Sequence, residues 1–251
     1  MNFEAGMAQP VSCSRDIPIR IEDRLIVALD VPSIDEARTL VAKLDGVASF
    51  FKIGYWLQFS AGIDGLFDYL IQRNKKIFLD TKMFDIGETV KQGITRIAER
   101  GISVVTVHSD SDVMRAAAEG KSGSDLKVLI VPVLTSRDTN SLRELGYDSS
   151  VTELIVERAR MAIASGCDGM IAAPRDNPSE IRRAAGSERL LVVTPGVRLP
   201  GSSIDDHKRA GTPAEAIAAG ADYVIVGRPI VKSGDPARAA AAIIENMCNP
   251  A

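Results

Sequence analysis

LIVALDVPSIDEARTLVAKLDGVASFFKI, residues 25–53, decides the fold. LIVALD (25–30) is apolar almost throughout, as a parallel strand buried on both faces must be. IDEARTLVAKL (34–44) then spaces its apolar residues for one side of a helix. Ser33 precedes it with Glu36 three positions later, a capping box, and Gly46 closes it. Phe50 to Ile53 starts another strand, so the stretch reads strand, helix, strand.

Working outward, the same unit recurs to give eight apolar runs: Leu25–Asp30, Phe50–Ile53, Lys76–Lys82, Ser103–His108, Lys127–Leu134, Gly169–Ala172, Leu190–Thr194 and Tyr223–Gly227. Val151 to Ser165 predicts a helix ending at Gly166. Gly101, Gly166 and Gly220 stand where left-handed helix ends are needed before the next strand. No GxGxxG follows the first strand and no low-complexity linker divides the chain. Eight units in 251 residues fit an α/β fold of one domain, a (β/α)8 TIM barrel, better than an open doubly wound sheet. The expected organisation is a flexible N-terminal extension over residues 1–22 and the barrel over 23–251.

Composition narrows the chemistry. A net charge of -3 offers no basic face for a nucleic-acid backbone, so any bound phosphate should belong to a small molecule, a nucleotide before DNA or RNA. Cys13, Cys167 and Cys248 are too few and too scattered for a disulfide framework or a zinc site, which points to a reducing cytoplasm. Val128–Leu134, the longest apolar run, is far short of a membrane span. The first 22 residues lack the apolar core of a signal peptide, and Glu4 and Asp16 argue against a transit peptide.

A barrel works at the C-terminal ends of its strands. In order, those ends carry Asp30, Lys52, then Asp80 with Lys82 and Asp85, His108, Thr135, Ala173, Arg198, and Gly227 with Arg228. KIFLDTKMFDI (76–86) is the sharpest of them. Asp80 and Lys82, two apart, should share the mouth-facing side while Thr81 points away, and Asp85 should open the next helix. The expectation is an ammonium held between two carboxylates. TPGVR (194–198) and VIVGRPI (224–230) read as a phosphate site after the last two strands, built from backbone N–H groups, a helix N-terminus and arginine. Arg198 to Thr212 has the composition of a lid. His108 reads as a hydrogen-bonded core or supporting residue, and Tyr55, Trp56 and Phe59 as packing or dimer contacts. Cys167 should be buried and inert.

LDVP with Asp30, FKIG with Lys52, LDTKMFDIGETV with Asp80, Lys82, Asp85 and Thr89, VLTS with Thr135, TPGVR with Arg198 and GRPI with Arg228 together resemble the orotidine 5'-phosphate decarboxylase family, from about Arg24 to the last helix. The resemblance implies decarboxylation of orotidine 5'-monophosphate to uridine 5'-monophosphate, the last step of UMP biosynthesis, with no cofactor and no metal. It implies that Asp30 and Lys52 contact the ribose and align the charges, that Asp80 faces the substrate carboxylate, and that Lys82 donates the proton. Asp85 and Thr89 would cross a homodimer interface into the partner's site. Thr135 would bind the pyrimidine, and Arg198, Arg228 and the Gly227 backbone the 5'-phosphate. His207 stands where the family usually has a lid glutamine. The alternatives are a magnesium-dependent sugar-phosphate decarboxylase or aldolase of the same superfamily, a Schiff-base aldolase using Lys82, and a phosphate-ligand sensor without turnover. Lys52 opposes the first, because it stands where those enzymes place an acid. Carboxylates beside Lys82 oppose the second, because they raise an amine pKa.

Overall fold

The computed structural model describes residues 19–199 and 211–248. Within them eight parallel strands close in sequence order, each hydrogen-bonded to the next and β8 to β1. The strands are β1 (Leu25–Ala28), β2 (Phe50–Ile53), β3 (Lys76–Met83), β4 (Val104–His108), β5 (Lys127–Val131), β6 (Gly169–Ile171), β7 (Leu191–Pro195) and β8 (Tyr223–Val226). The helices between them are α1 (Ile34–Lys43), α2 (Tyr55–Gln58), α3 (Ile63–Ile71), α4 (Gly87–Glu99), α5 (Ser111–Gly120), α6 (Thr139–Glu144), α7 (Val151–Ser165), α8 (Pro178–Ala185), α9 (Pro213–Ala218), α10 (Arg228–Val231) and α11 (Pro236–Cys248). The single-domain (β/α)8 barrel expected from the repeats is the architecture found. Closure leaves no sheet edge with unpaired backbone.

The helix signals act where the sequence puts them. Ser33 Oγ accepts from the Glu36 amide at the start of α1. Ser150 and Glu153 form a reciprocal capping box on α7, and Gly166 ends it in the left-handed conformation at φ 82°.

Two cores follow from strand alternation. Leu25, Val27, Phe51, Ile77, Val105, Val128 and Ile130 point outward and pack under the helices. Ile26, Ala28, Phe50, Phe78, Val104, Leu129, Val131, Ile171, Val193 and Ile225 point inward and fill the barrel. Phe50 meets Tyr223 edge to face within that filling, with centroids 5.6 Å apart. The inward residues fill the barrel below its C-terminal mouth.

Several strands stop earlier than their apolar runs. β5 ends at Val131 rather than Leu134, because Pro132 has no N–H to continue a ladder. β1 stops at Ala28, two residues before Asp30. Ile21 packs against the outer core from a 3-10 turn over Ile21–Arg24. The rest of the expected extension, through residue 18, lies outside the described residues.

Candidate active site

One step beyond the plug, the inward parity continues from Ala28 to Asp30, Phe50 to Lys52, Phe78 to Asp80, Val131 to Val133 and Thr135, and Ile225 to Gly227. Asp30, Lys52, Asp80, Val133, Thr135 and Gly227 line one cavity of about 250 Å³ at the C-terminal mouth, together with Lys82, Arg198 and Arg228. The alternation that buries the apolar plug therefore also aims the charges into the opening.

The charges form a row. Lys52 Nζ lies 3.5 Å from Asp30 Oδ1 and 3.5 Å from Asp80 Oδ2, and Lys82 Nζ lies 2.8 Å from Asp80 Oδ1. Lys52 and Asp80 are deeply set, with side chains 11% and 16% exposed. Burial pushes the Asp80 carboxyl up, but the Lys52 and Lys82 charges, with hydrogen bonds from Lys82 and Thr106, outweigh it and hold the group below the usual carboxylate range. Asp80 is thus an anion fixed between two cations.

This corrects the expected arrangement around Lys82. Within one chain the ammonium bracketed by two carboxylates is Lys52, whereas Lys82 touches Asp80 and has no ion pair with Asp85. Asp85 is exposed, accepts a 2.7 Å hydrogen bond from the Ile86 amide, and lines no part of the cavity. It precedes α4, which starts at Gly87, and Thr89 on the first turn of α4 is exposed as well.

Simple alternation does not bring Asp80 and Lys82 together either. The β3 register shifts between Leu79 and Met83, and Lys82 takes a left-handed backbone at φ 47°. Thr81 does turn away from the mouth, donating its hydroxyl to the Thr106 carbonyl.

Asp30 links the row to the last two strands. Its Oδ1 faces Lys52, while a Cβ built on Gly227 would lie 3.5 Å from its Oδ2 and 3.4 Å from the Ala28 Cβ. A bare glycine keeps this part of the wall open to backbone approach. Arg228 follows at the first position of α10, and Arg198 enters from the β7 side, where its amide bonds the Gly211 carbonyl at 2.9 Å. His207 lies outside the described residues.

His108 departs from the hydrogen-bonded residue that was expected. Its Nδ1 is buried without a hydrogen-bond partner among the described residues, and its ring rests on Phe84 at 4.5 Å. Burial and the nearby Arg158 charge depress its pKa against the pull of Asp110. Cys167 is buried with its thiol pushed up to about 12, mainly by desolvation, as inertness requires.

Sequence reading passed over Gln58, whose Nε2 donates to the carbonyls of Ile53 and Asp80 and so pins α2 over the β2 and β3 ends. It also passed over Thr106, which looks like one more β-branched residue of VVTVH.

Comparisons with known proteins agree with this geometry. A sequence model described as "Orotidine 5'-phosphate decarboxylase / HUMPS family" matches residues 23–243. An orotidine 5'-phosphate decarboxylase of Afipia carboxidovorans is 48% identical over 230 residues, 92% of this chain and 97% of that one. One from Rhodopseudomonas palustris strain HaA2 is 45% identical over 225 residues, 90% of this chain and 94% of that one. The crystal structure of orotidine 5'-phosphate decarboxylase from Lactobacillus acidophilus superposes with a TM-score of 0.78 at 33% identity, covering 90% of this chain and 100% of that one. With an eight-stranded barrel, an acid and base row at its mouth and relatives matched over nearly their whole length, the chain belongs to the orotidine 5'-phosphate decarboxylase / HUMPS family.

Proposed function

We propose that the row Asp30, Lys52, Asp80, Lys82 carries out the decarboxylation of orotidine 5'-monophosphate to uridine 5'-monophosphate, the last step of UMP biosynthesis. The enzyme is a carbon–carbon lyase. Loss of CO2 from C6 leaves a carbanion in the ring plane that the pyrimidine cannot delocalise, so the barrier must fall by electrostatics. Lys82 supplies the positive charge as the C–C electron pair moves onto C6, then delivers a proton there. Asp80, held anionic by its two lysines, faces the departing carboxylate and orients Lys82. Asp30 and Lys52 take the ribose hydroxyls, Thr135 the pyrimidine, and Arg198, Arg228 and the Gly227 backbone the phosphate. The position of Asp30 between Lys52 and Gly227 suits a ribose lying between base and phosphate. His207 is the companion proposal for a hydrogen bond from the segment after β7. The chemistry needs neither metal nor organic cofactor.

The observation that carries this reading is the 2.8 Å contact of Lys82 Nζ with an ionised Asp80. The test follows the loss of orotidine 5'-monophosphate absorbance in EDTA, comparing the parent with Lys82→Ala and Asp80→Ala. Turnover by the parent and its loss in both variants is expected. Activity only after magnesium is restored would instead favour the sugar-phosphate branch, against which Lys52 already speaks by putting an ammonium between the two carboxylates.

A homodimer belongs to the same proposal, with Asp85 and Thr89 reaching the partner's site. Trp56 and Phe59 beside β2, and Phe84 and Ile86 flanking Asp85, are 63%, 84%, 66% and 74% exposed. The Tyr55 hydroxyl bonds the Thr81 carbonyl, which ties the two groups into one neighbourhood. A patch of that kind suits burial against a second copy and carries Asp85 with it. A cytoplasmic setting rests on the free thiols of Cys167 and Cys248 among the described residues. Residues 23–251 are read as the barrel domain and 1–22 as an extension to it.

A further inference from the structure

On either side of the acid and base pair, β3 and β4 are in step: Leu79 pairs with Val105, and Met83 with Val107. Between these pairs three residues of β3 stand opposite one residue of β4, Thr106. Such an insertion interrupts the ladder and leaves polar groups that need new partners. Thr106 provides them for all three. Its carbonyl accepts from Thr81 Oγ1 at 2.8 Å, its hydroxyl accepts from the Lys82 amide at 3.0 Å, and the same hydroxyl donates to Asp80 Oδ1 at 2.8 Å. The residue is fully buried and lines no part of the mouth cavity, so it cannot touch a ligand there.

We propose that Thr106 is a positioning residue for the decarboxylation, its hydroxyl joining the Asp80 carboxylate to the Lys82 backbone and so fixing the acid and the ammonium against each other. The inference rests on the roles assigned above to Asp80 and Lys82. The ionised Asp80 carboxylate can only accept, so the single hydroxyl proton points at Asp80 Oδ1 while a lone pair accepts from the Lys82 amide. That oxygen also receives Lys82 Nζ, while Lys52 stands on Oδ2. Thr106 therefore stops the carboxylate from rotating and holds Lys82 in a backbone conformation that residues other than glycine resist. Both effects act on the reacting groups, and neither on the phosphate residues.

Thr106→Val keeps the shape and removes both hydroxyl bonds, and Thr106→Ser restores them. Loss of one hydrogen bond to a charged group predicts a fall in kcat of about 10- to 100-fold for valine. KM for orotidine 5'-monophosphate and the Kd for uridine 5'-monophosphate should stay within about threefold, and serine should recover kcat to a similar margin. The acid limb of kcat should move to higher pH in Thr106→Val, because Asp80 keeps Lys52 and Lys82, with Asp30 beyond Lys52, but loses a donor. Thr106→Ala serves if valine does not fold, with the same loss expected. Parent-like kcat in the variants without the hydroxyl, or serine as slow as valine, would overturn the inference. Lys82→Ala is measured beside them. If it turns over like the parent, the site assignment falls and this inference with it; if it is inactive while Thr106→Val is unimpaired, the clamp alone falls.

Discussion

Lys82 Nζ lies 2.8 Å from Asp80 Oδ1 although Lys82 has left the β3 ladder for a left-handed backbone. The contact is an ion pair between neighbours in sequence, at the edge of a cavity, with a second lysine behind it. Lys82→Ala should therefore strip the site of its proposed proton donor while leaving the residues proposed to hold the phosphate in place. A loss in kcat of at least about 10²- to 10⁴-fold is expected, with uridine 5'-monophosphate still binding. Stopped assays and calorimetric titration check the two halves separately; loss of nucleotide binding in step with turnover would argue for a collapsed site.

The depressed Asp80 pKa has a consequence for stability. A carboxyl held below its unfolded value stabilises the fold above that value, near about 4, and the contribution disappears as pH falls through the lower folded value. The difference in urea midpoint between the parent and Asp80→Asn should hold steady from pH 7 to 5 and change only as the acid group titrates below about pH 4. A difference that moves mainly between pH 7 and 5 would contradict it.

The barrel plug predicts a stability effect remote from the charges. Phe78 is fully buried on the inward face of β3, directly beneath Asp80 in the alternation. Phe78→Ala should lower stability by about 3–5 kcal/mol, read from chemical denaturation. A loss below about 1 kcal/mol would mean that the interior is not close-packed around that ring.

Assembly can be tested by mixing inactive variants. If Asp85 serves the partner's site, unfolding and refolding Lys82→Ala together with Asp85→Ala should rebuild one intact site in each mixed dimer, up to about a quarter of all sites under random pairing. Each variant alone should stay inactive. Failure to recover activity in dimers shown to be mixed would indicate self-contained subunits.

Ile86→Arg addresses the same surface directly. If the proposed dimer forms through this surface, a charge at the exposed Ile86 should shift the chain from dimer to monomer in sedimentation and lower turnover. A dimer unchanged by the substitution would move the interface elsewhere on the barrel.

The architecture was legible because its signals are local and repeated. Continuous runs such as LIVALD and YVIVG mark strands covered on both sides, and Ser33, Ser150 and Gly166 mark helix ends. Strand ends were less legible, since Pro132 stops β5 within an unbroken apolar run. In the site, the residue types around the mouth could be read from the strand ends, and eight of the residues so chosen line one cavity: Asp30, Lys52, Asp80, Lys82, Thr135, Arg198, Gly227 and Arg228. Their neighbours could not be read. Which lysine sits between two acids depends on barrel closure and on a register shift that no period in the sequence reveals. Thr106 escaped for the same reason, because only the pairing of β3 with β4 shows that it faces three residues at once.

That three-against-one stretch has a meaning for how such a barrel can change. Pairing is intact below it at Leu79 and above it at Met83, so residues 80–82 form an inset whose content the closed cylinder does not register. Reactive groups can be exchanged within this inset without resetting the tilt or stagger of eight strands, provided the residue across from it can still hold whatever is put there. A change of chemistry on this strand can thereby be confined to three positions, while the other strand ends keep their places around the mouth.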